Sequence, residues 1–210
     1  MYALVESGSI TKILKGNKGI KIGDNQYPAS IFTLWPESEK NAIGIYTVEI
    51  DSTNYKNTEW YINTNQTTAY DASSNKVKAT YGTATAKPHA DTKWTQAQID
   101  DPSIVGQAPD GADTNTVRME RLKTKLIRTV KRQAEGILNE TDWYITRKAE
   151  KSTAIPSAIT THRDAVRTKQ AAMETAITNA ADTPALETLY TYTTTDGVTS
   201  RPIGELPTLS

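Results

Sequence analysis

The chain has 210 residues in which 24 Lys and Arg balance 24 Asp and Glu, with no Cys and two His, which argues against a large multidomain enzyme, a disulfide framework, a thiolate metal site and global steering towards nucleic acid. Hydrophobic residues make up 37%, below the roughly 45–50% of an average globular domain, so the core is thin and assembly with partners or with copies of itself is expected. Met1 to Glu6 is apolar for only a few residues and has no basic leader, so it reads as neither a signal peptide nor a spanning segment, and a chain kept in a cytoplasm is expected.

The first run alternates, with Tyr2, Leu4 and then Ile10 facing one way and Ser7-Gly8-Ser9 as a turn, which predicts a small β-hairpin. Ile20-Lys21-Ile22, a turn at Gly23-Asp24-Asn25 and Gln26-Tyr27 predict a second. The glycines here do not read as a phosphate cradle, because no Lys-Ser/Thr follows them and no long helix starts there. Pro36, with Glu37 and Glu39 behind it, opens a short helix to about Ala42, stopped by Gly44. Ile45 to Ile50 reads as a strand with Ile45, Thr47 and Glu49 on one face and Tyr46, Val48 and Ile50 on the other. Trp60-Tyr61-Ile62 and Val77 to Tyr81 are two more strands, separated by a polar stretch that turns near Asp71 to Asn75. Residues 1–86 are therefore expected to form a β-rich head.

Residues 87–115 scatter Pro88, Pro102, Pro109, Gly106 and Gly111 among polar residues without a period, and read as a linker or extended arm. Trp94 is the exception, because a large aromatic in such a segment needs a groove; one on its own head is expected over one on a neighbour. From Thr116 a helical period takes over, with Met119, Leu122, Leu126, Val130, Ala134 and Ile137 on one stripe. A second stripe from Pro156 carries Ile159, His162, Val166, Met173 and Ile177 and fades at Asp182-Thr183-Pro184. The two stripes predict an antiparallel α-helical hairpin across 116–192, with Thr141-Asp142-Trp143 in a short connection and a further turn or two from Pro184. Residues 193–210 are expected to be a tail without a core. The fold class is thus α+β: head, linker, helical hairpin.

No nucleophile, metal or dinucleotide motif is present, and His162 on an apolar stripe reads as a packing residue, so neither catalysis nor a cofactor is expected. Arg118, Arg121, Lys123, Lys125, Arg128, Lys131 and Arg132 make a basic helix, whose charges spread around the polar arc without interleaved aromatics; a solvated or internally paired face is favoured over a nucleic-acid surface. Thr141 is expected to cap a helix start with its hydroxyl, Asp142 to sit in the first turn and Trp143 to bury a large face at the hairpin corner. Arg163 and Arg167, one turn apart, are candidates to meet either an acidic partner surface or the chain's own acids.

Ile137-Leu138-Asn139-Glu140-Thr141-Asp142-Trp143, then Ile155-Pro156, then His162-Arg163-Asp164-Ala165-Val166-Arg167 resembles the phage tail assembly chaperone and tail-fibre assembly families over roughly residues 115–180. His162 stands where that pattern often has Tyr or Trp, and Val166 where it has Leu. The resemblance implies a non-catalytic protein that binds a tail-fibre or baseplate subunit in the bacterial host cytoplasm, or remains in the virion tail as an adaptor. Its partner-binding residues are expected among Trp94, Thr141, Asp142, Trp143, Arg163 and Arg167. Nucleic-acid binding through the basic helix is the alternative.

Overall fold

The computed structural model describes residues 1–209. The fold is mixed α+β, with seven helices among the described residues and a curled five-stranded sheet, and it divides into one unit of Met1–Thr85 and a second that begins at Ala86.

In the first unit, β1 (Tyr2–Glu6) and β2 (Ser9–Leu14) form the antiparallel hairpin, turning at Ser7 and Gly8, both at positive φ as a two-residue primed turn requires. A bulge between Leu4 and Val5 shifts the register, so Leu4 pairs with Lys12 but Val5 with Ile10. Ile10 consequently packs with Ala3 and Val5 on the face opposite Tyr2 and Leu4, which corrects the simple alternation expected from the sequence. β3 (Ile20–Ile22) and β4 (Asn25–Tyr27) make the second hairpin, followed by α1 (Ile31–Leu34) and α2 (Glu37–Ala42). β5 (Ile45–Asp51), β6 (Tyr61–Ile62), β7 (Gln66–Asp71) and β8 (Lys76–Tyr81) follow, and β9 (Thr85–Ala86) lies at the boundary. The sheet order is β2-β1-β5-β8-β7, antiparallel except for β5 beside β8, and the edge strands β2 and β7 curl towards each other.

Each face of that sheet has its own core. One joins Leu4, Leu14, Ile20 and Ile45 to Ile31 and Phe32 of α1. The other is built from Ala3, Val48, Val77 and Ala79 with Tyr46 and Tyr70, whose hydroxyls both donate to Asn75 Oδ1 at 2.9 and 2.8 Å.

The second unit contains β10 (Thr92–Lys93), α3 (Gln96–Asp100), β11 (Val117–Met119), α4 (Leu122–Asn139), α5 (Asp142–Lys151), α6 (Ser157–Asn179), α7 (Thr183–Tyr190), β12 (Thr193–Thr195) and β13 (Val198–Ser200). Residues 87–94, expected to be free arm, are fastened within this unit. β10 pairs with β11, so Val117 to Met119 is strand and the helix starts at Leu122 instead of Thr116. Asp91 caps α4 from a distance: its carboxylate accepts from the Arg121 backbone N–H at 2.7 Å and from the Thr124 hydroxyl at 2.6 Å, while the Lys123 N–H donates to the His89 carbonyl at 3.0 Å. The Thr183 hydroxyl donates to the Lys87 carbonyl at 2.5 Å.

α4 and α6 pack antiparallel: Lys123 Nζ near the start of α4 reaches the Thr178 carbonyl near the end of α6, and Leu138 near the end of α4 meets Arg163 near the start of α6. Ile159, His162, Val166, Met173 and Ile177 are all buried on α6, facing buried Val130 and Ala134 on α4. Two expectations fail here. The connection between these helices is not short, because it holds the ten-residue α5. The tail is not coreless either, since Ile203 is buried and its N–H donates to the Leu189 carbonyl at 3.0 Å.

Candidate functional site

The Thr141-Asp142 segment is organised by one side chain on α6. Arg163 is 7% exposed, and its Nη1 donates to the Leu138 carbonyl at 2.7 Å and to Thr141 Oγ1 at 2.6 Å. Its Nη2 pairs with Asp142 Oδ1 at 2.8 Å. A guanidinium suits this position because its planar fork can join a carbonyl at the end of α4 to an acid at the start of α5. Thr141 does not cap α5 as expected: its hydroxyl turns back and donates to the Leu138 carbonyl at 3.0 Å. Asp142 does occupy the first turn, but spends its carboxylate on Arg163.

Trp143 is 51% exposed, so it does not fill the hairpin corner. It stacks instead with its neighbour Tyr144, ring centroids 3.8 Å apart, and the Arg147 guanidinium lies over both rings at 4.7 and 5.2 Å. Ile145 is also exposed, and no residue of α5 is buried. Arg167, one turn after Arg163, does not join this cluster; it pairs with Asp164 on its own helix at 3.3 Å. Trp94 is buried in the chain, and its backbone N–H donates to the Thr116 carbonyl at 3.1 Å.

Sequence reading gathered Thr141, Asp142 and Arg163 as candidates, and the structure brings these three together. It missed Tyr144, Arg147, Lys148 and Lys151. The signal was present: Arg147 follows Trp143 by four positions and Tyr144 by three, the spacings at which helical side chains meet.

The basic run on α4 is largely occupied. Arg128 pairs with Glu120, Lys131 Nζ lies 3.4 Å from Glu174, Lys123 is bound to the Thr178 carbonyl, and Arg121 reaches the Thr92 hydroxyl at 3.4 Å. An open groove of about 470 Å³ lies between α4, α6 and the tail, floored by Ile137 and Met173 and rimmed by Arg132, Glu140, Arg201 and Glu205. The Tyr192 hydroxyl, 2.6 Å from Glu205, holds that carboxyl below its usual range, with Arg201 adding to the effect, and Tyr192 itself is pushed up. Among the described residues no three His, Asp or Glu are grouped as a metal site, and no helix is long and apolar enough to cross a membrane. No family model, curated protein or solved structure matches the chain.

Proposed function

We propose that this chain is a non-catalytic binding protein that engages a phage tail-fibre or baseplate subunit during tail assembly in the host cytoplasm, with α5 as its presented element. In this reading the β-rich head and the helical pair act as separate modules on one chain. The observation that supports it is the treatment of α5: the helix is anchored through Asp142 to a buried arginine, yet buries none of its own residues and leaves Trp143 and Ile145 in solvent. A large aromatic held exposed on an anchored helix has the character of an interface hot spot, where Trp and Arg dominate binding energy. The resemblance of residues 137–167 to tail-assembly proteins supplies the partner class.

The apolar stripes of α4 and α6 pack largely against each other, so in this reading α5 is the presented surface. Co-expression with the cognate fibre protein, followed by pull-down of wild type and Trp143→Ala, tests the reading. Capture of the fibre by wild type and its loss in the variant is expected; no capture of the fibre by wild type overturns it. Mass spectrometry of purified virions then distinguishes an assembly factor, which departs, from an adaptor, which stays.

A further inference from the structure

We infer that the exposed face of α5 takes an acidic, amphipathic protein segment, with an apolar side chain seated beside Trp143 and carboxylates facing Arg147, Lys148 and Lys151; the identity of the partner as a fibre subunit rests on the function proposed above, but the chemistry of the face does not. At 3.6 residues per turn, Trp143, Arg147, Lys151, Tyr144 and Lys148 fall within an arc of roughly 140°. That arc therefore holds both aromatics and all three cations of the helix. Of the acids, Asp142 lies well outside it and is committed to Arg163, and Glu150 falls about 20° beyond its Trp143 edge, away from Lys148. No ion pair among the described residues involves Arg147, Lys148 or Lys151. The lysines also suit the helix C-terminus, where cations complement the dipole, but that role needs no aromatic beside them.

Charge complementarity selects the occupant. A cationic arc beside the exposed Trp143, with Lys148 and Lys151 in solvent and Tyr144 and Arg147 half-buried, steers and orients an anionic partner, while the aromatic anchor supplies the apolar contact. Nucleic acid fits less well. Base stacking needs an open ring face, and Trp143 and Tyr144 lie against each other with Arg147 over both. With Arg147 engaged in that stack, two lysines remain to meet phosphates, and two of the basic residues of α4 that would extend a track, Arg128 and Lys131, are paired to Glu120 and Glu174.

The test uses the full chain and fluorescence anisotropy with three labelled probes: a helical peptide of roughly 15 residues, about four turns, with leucines on one face and glutamates flanking them, the same peptide with lysine for glutamate, and an oligothymidylate of matching length. The acidic peptide should bind saturably, more weakly as salt rises, and the basic peptide should not. Lys148→Glu with Lys151→Glu, and separately Trp143→Ala, should each weaken binding by about tenfold or more, whereas Lys125→Glu on α4 should leave it unchanged. Circular dichroism of each variant establishes that the helices persist. No binding of the acidic peptide, equal binding of both peptides, insensitivity to the double reversal, or tighter binding of the oligothymidylate would each overturn the inference, the last assigning the face to nucleic acid. A fibre captured equally well by the double reversal would leave the proposed function standing and remove this inference. A reversal-sensitive peptide with no captured fibre would do the opposite.

Discussion

Arg163 of α6 and Trp143 of α5 flank the same turn and have opposite roles. The Arg163 guanidinium holds the end of α4, Thr141 and the start of α5 through three oxygens, so Arg163→Ala removes the charged donor from the Leu138 carbonyl and the Thr141 hydroxyl, which still bond each other, and the ion pair from Asp142. Hydrogen bonds to a charged group are worth about 1.5–3 kcal/mol each, and the expected loss is of that order or larger. A fall in the denaturant midpoint, with Arg163→Lys giving little rescue because an ammonium lacks the fork, is the outcome to look for. Trp143→Ala should do the reverse: a half-exposed ring contributes little to folding, so the melting temperature should stay within the shift expected for about 0.5 kcal/mol while partner binding falls. A large loss of stability would show that the ring packs more than its exposure indicates.

At the level of elements, Gly44 joins α2 to β5 with φ at +80°, and its carbonyl accepts from the Val5 N–H at 2.8 Å. A Cβ there would meet the Val5 carbonyl oxygen at 2.6 Å. Gly44→Ala is expected to destabilise the first unit by more than about 1 kcal/mol, measurable by urea titration, since both backbone strain and a clash with a fixed strand oppose it. How far such elements were legible depended on what held them. The α6 stripe was readable residue by residue because its buried residues keep one helical face, most of it turned to α4. β7 escaped because Gln66 to Asp71 is a polar edge strand with no buried residue, so no apolar alternation marks it. α5 was legible only at its start, read from Thr141 and Asp142: a helix with no fully buried residue leaves no stripe to carry it on to Lys151. The cluster at Arg163 was half visible. Residue types suggested a charged contact, but only the antiparallel crossing of α4 and α6 brings Leu138 and Thr141 to it.

For the whole molecule, the division falls at Thr85 and Ala86, and the segment after it is tied by the β10–β11 ladder, by Asp91 at α4 and by the contact of Thr183 with Lys87. Limited proteolysis should therefore spare residues 87–95 and cut first between Pro102 and Asn115, where the chain is mostly exposed and without ladder or helix bonds. First cleavage at residues 87–91 would show that these ties are weak.

The same ties have an order in time. Asp91 leaves the ribosome before the helix it caps, so α4 finds its N-terminal partner already made. α5 has no such advantage, because Arg163 stands 22 positions after Thr141. At synthesis rates of about 5–20 residues per second, the aromatic face of α5 precedes its anchor by about one to four seconds. During that interval α5 is joined to a nascent chain but not yet held by it, so a partner of the kind proposed above would meet the aromatic face before folding has fixed it.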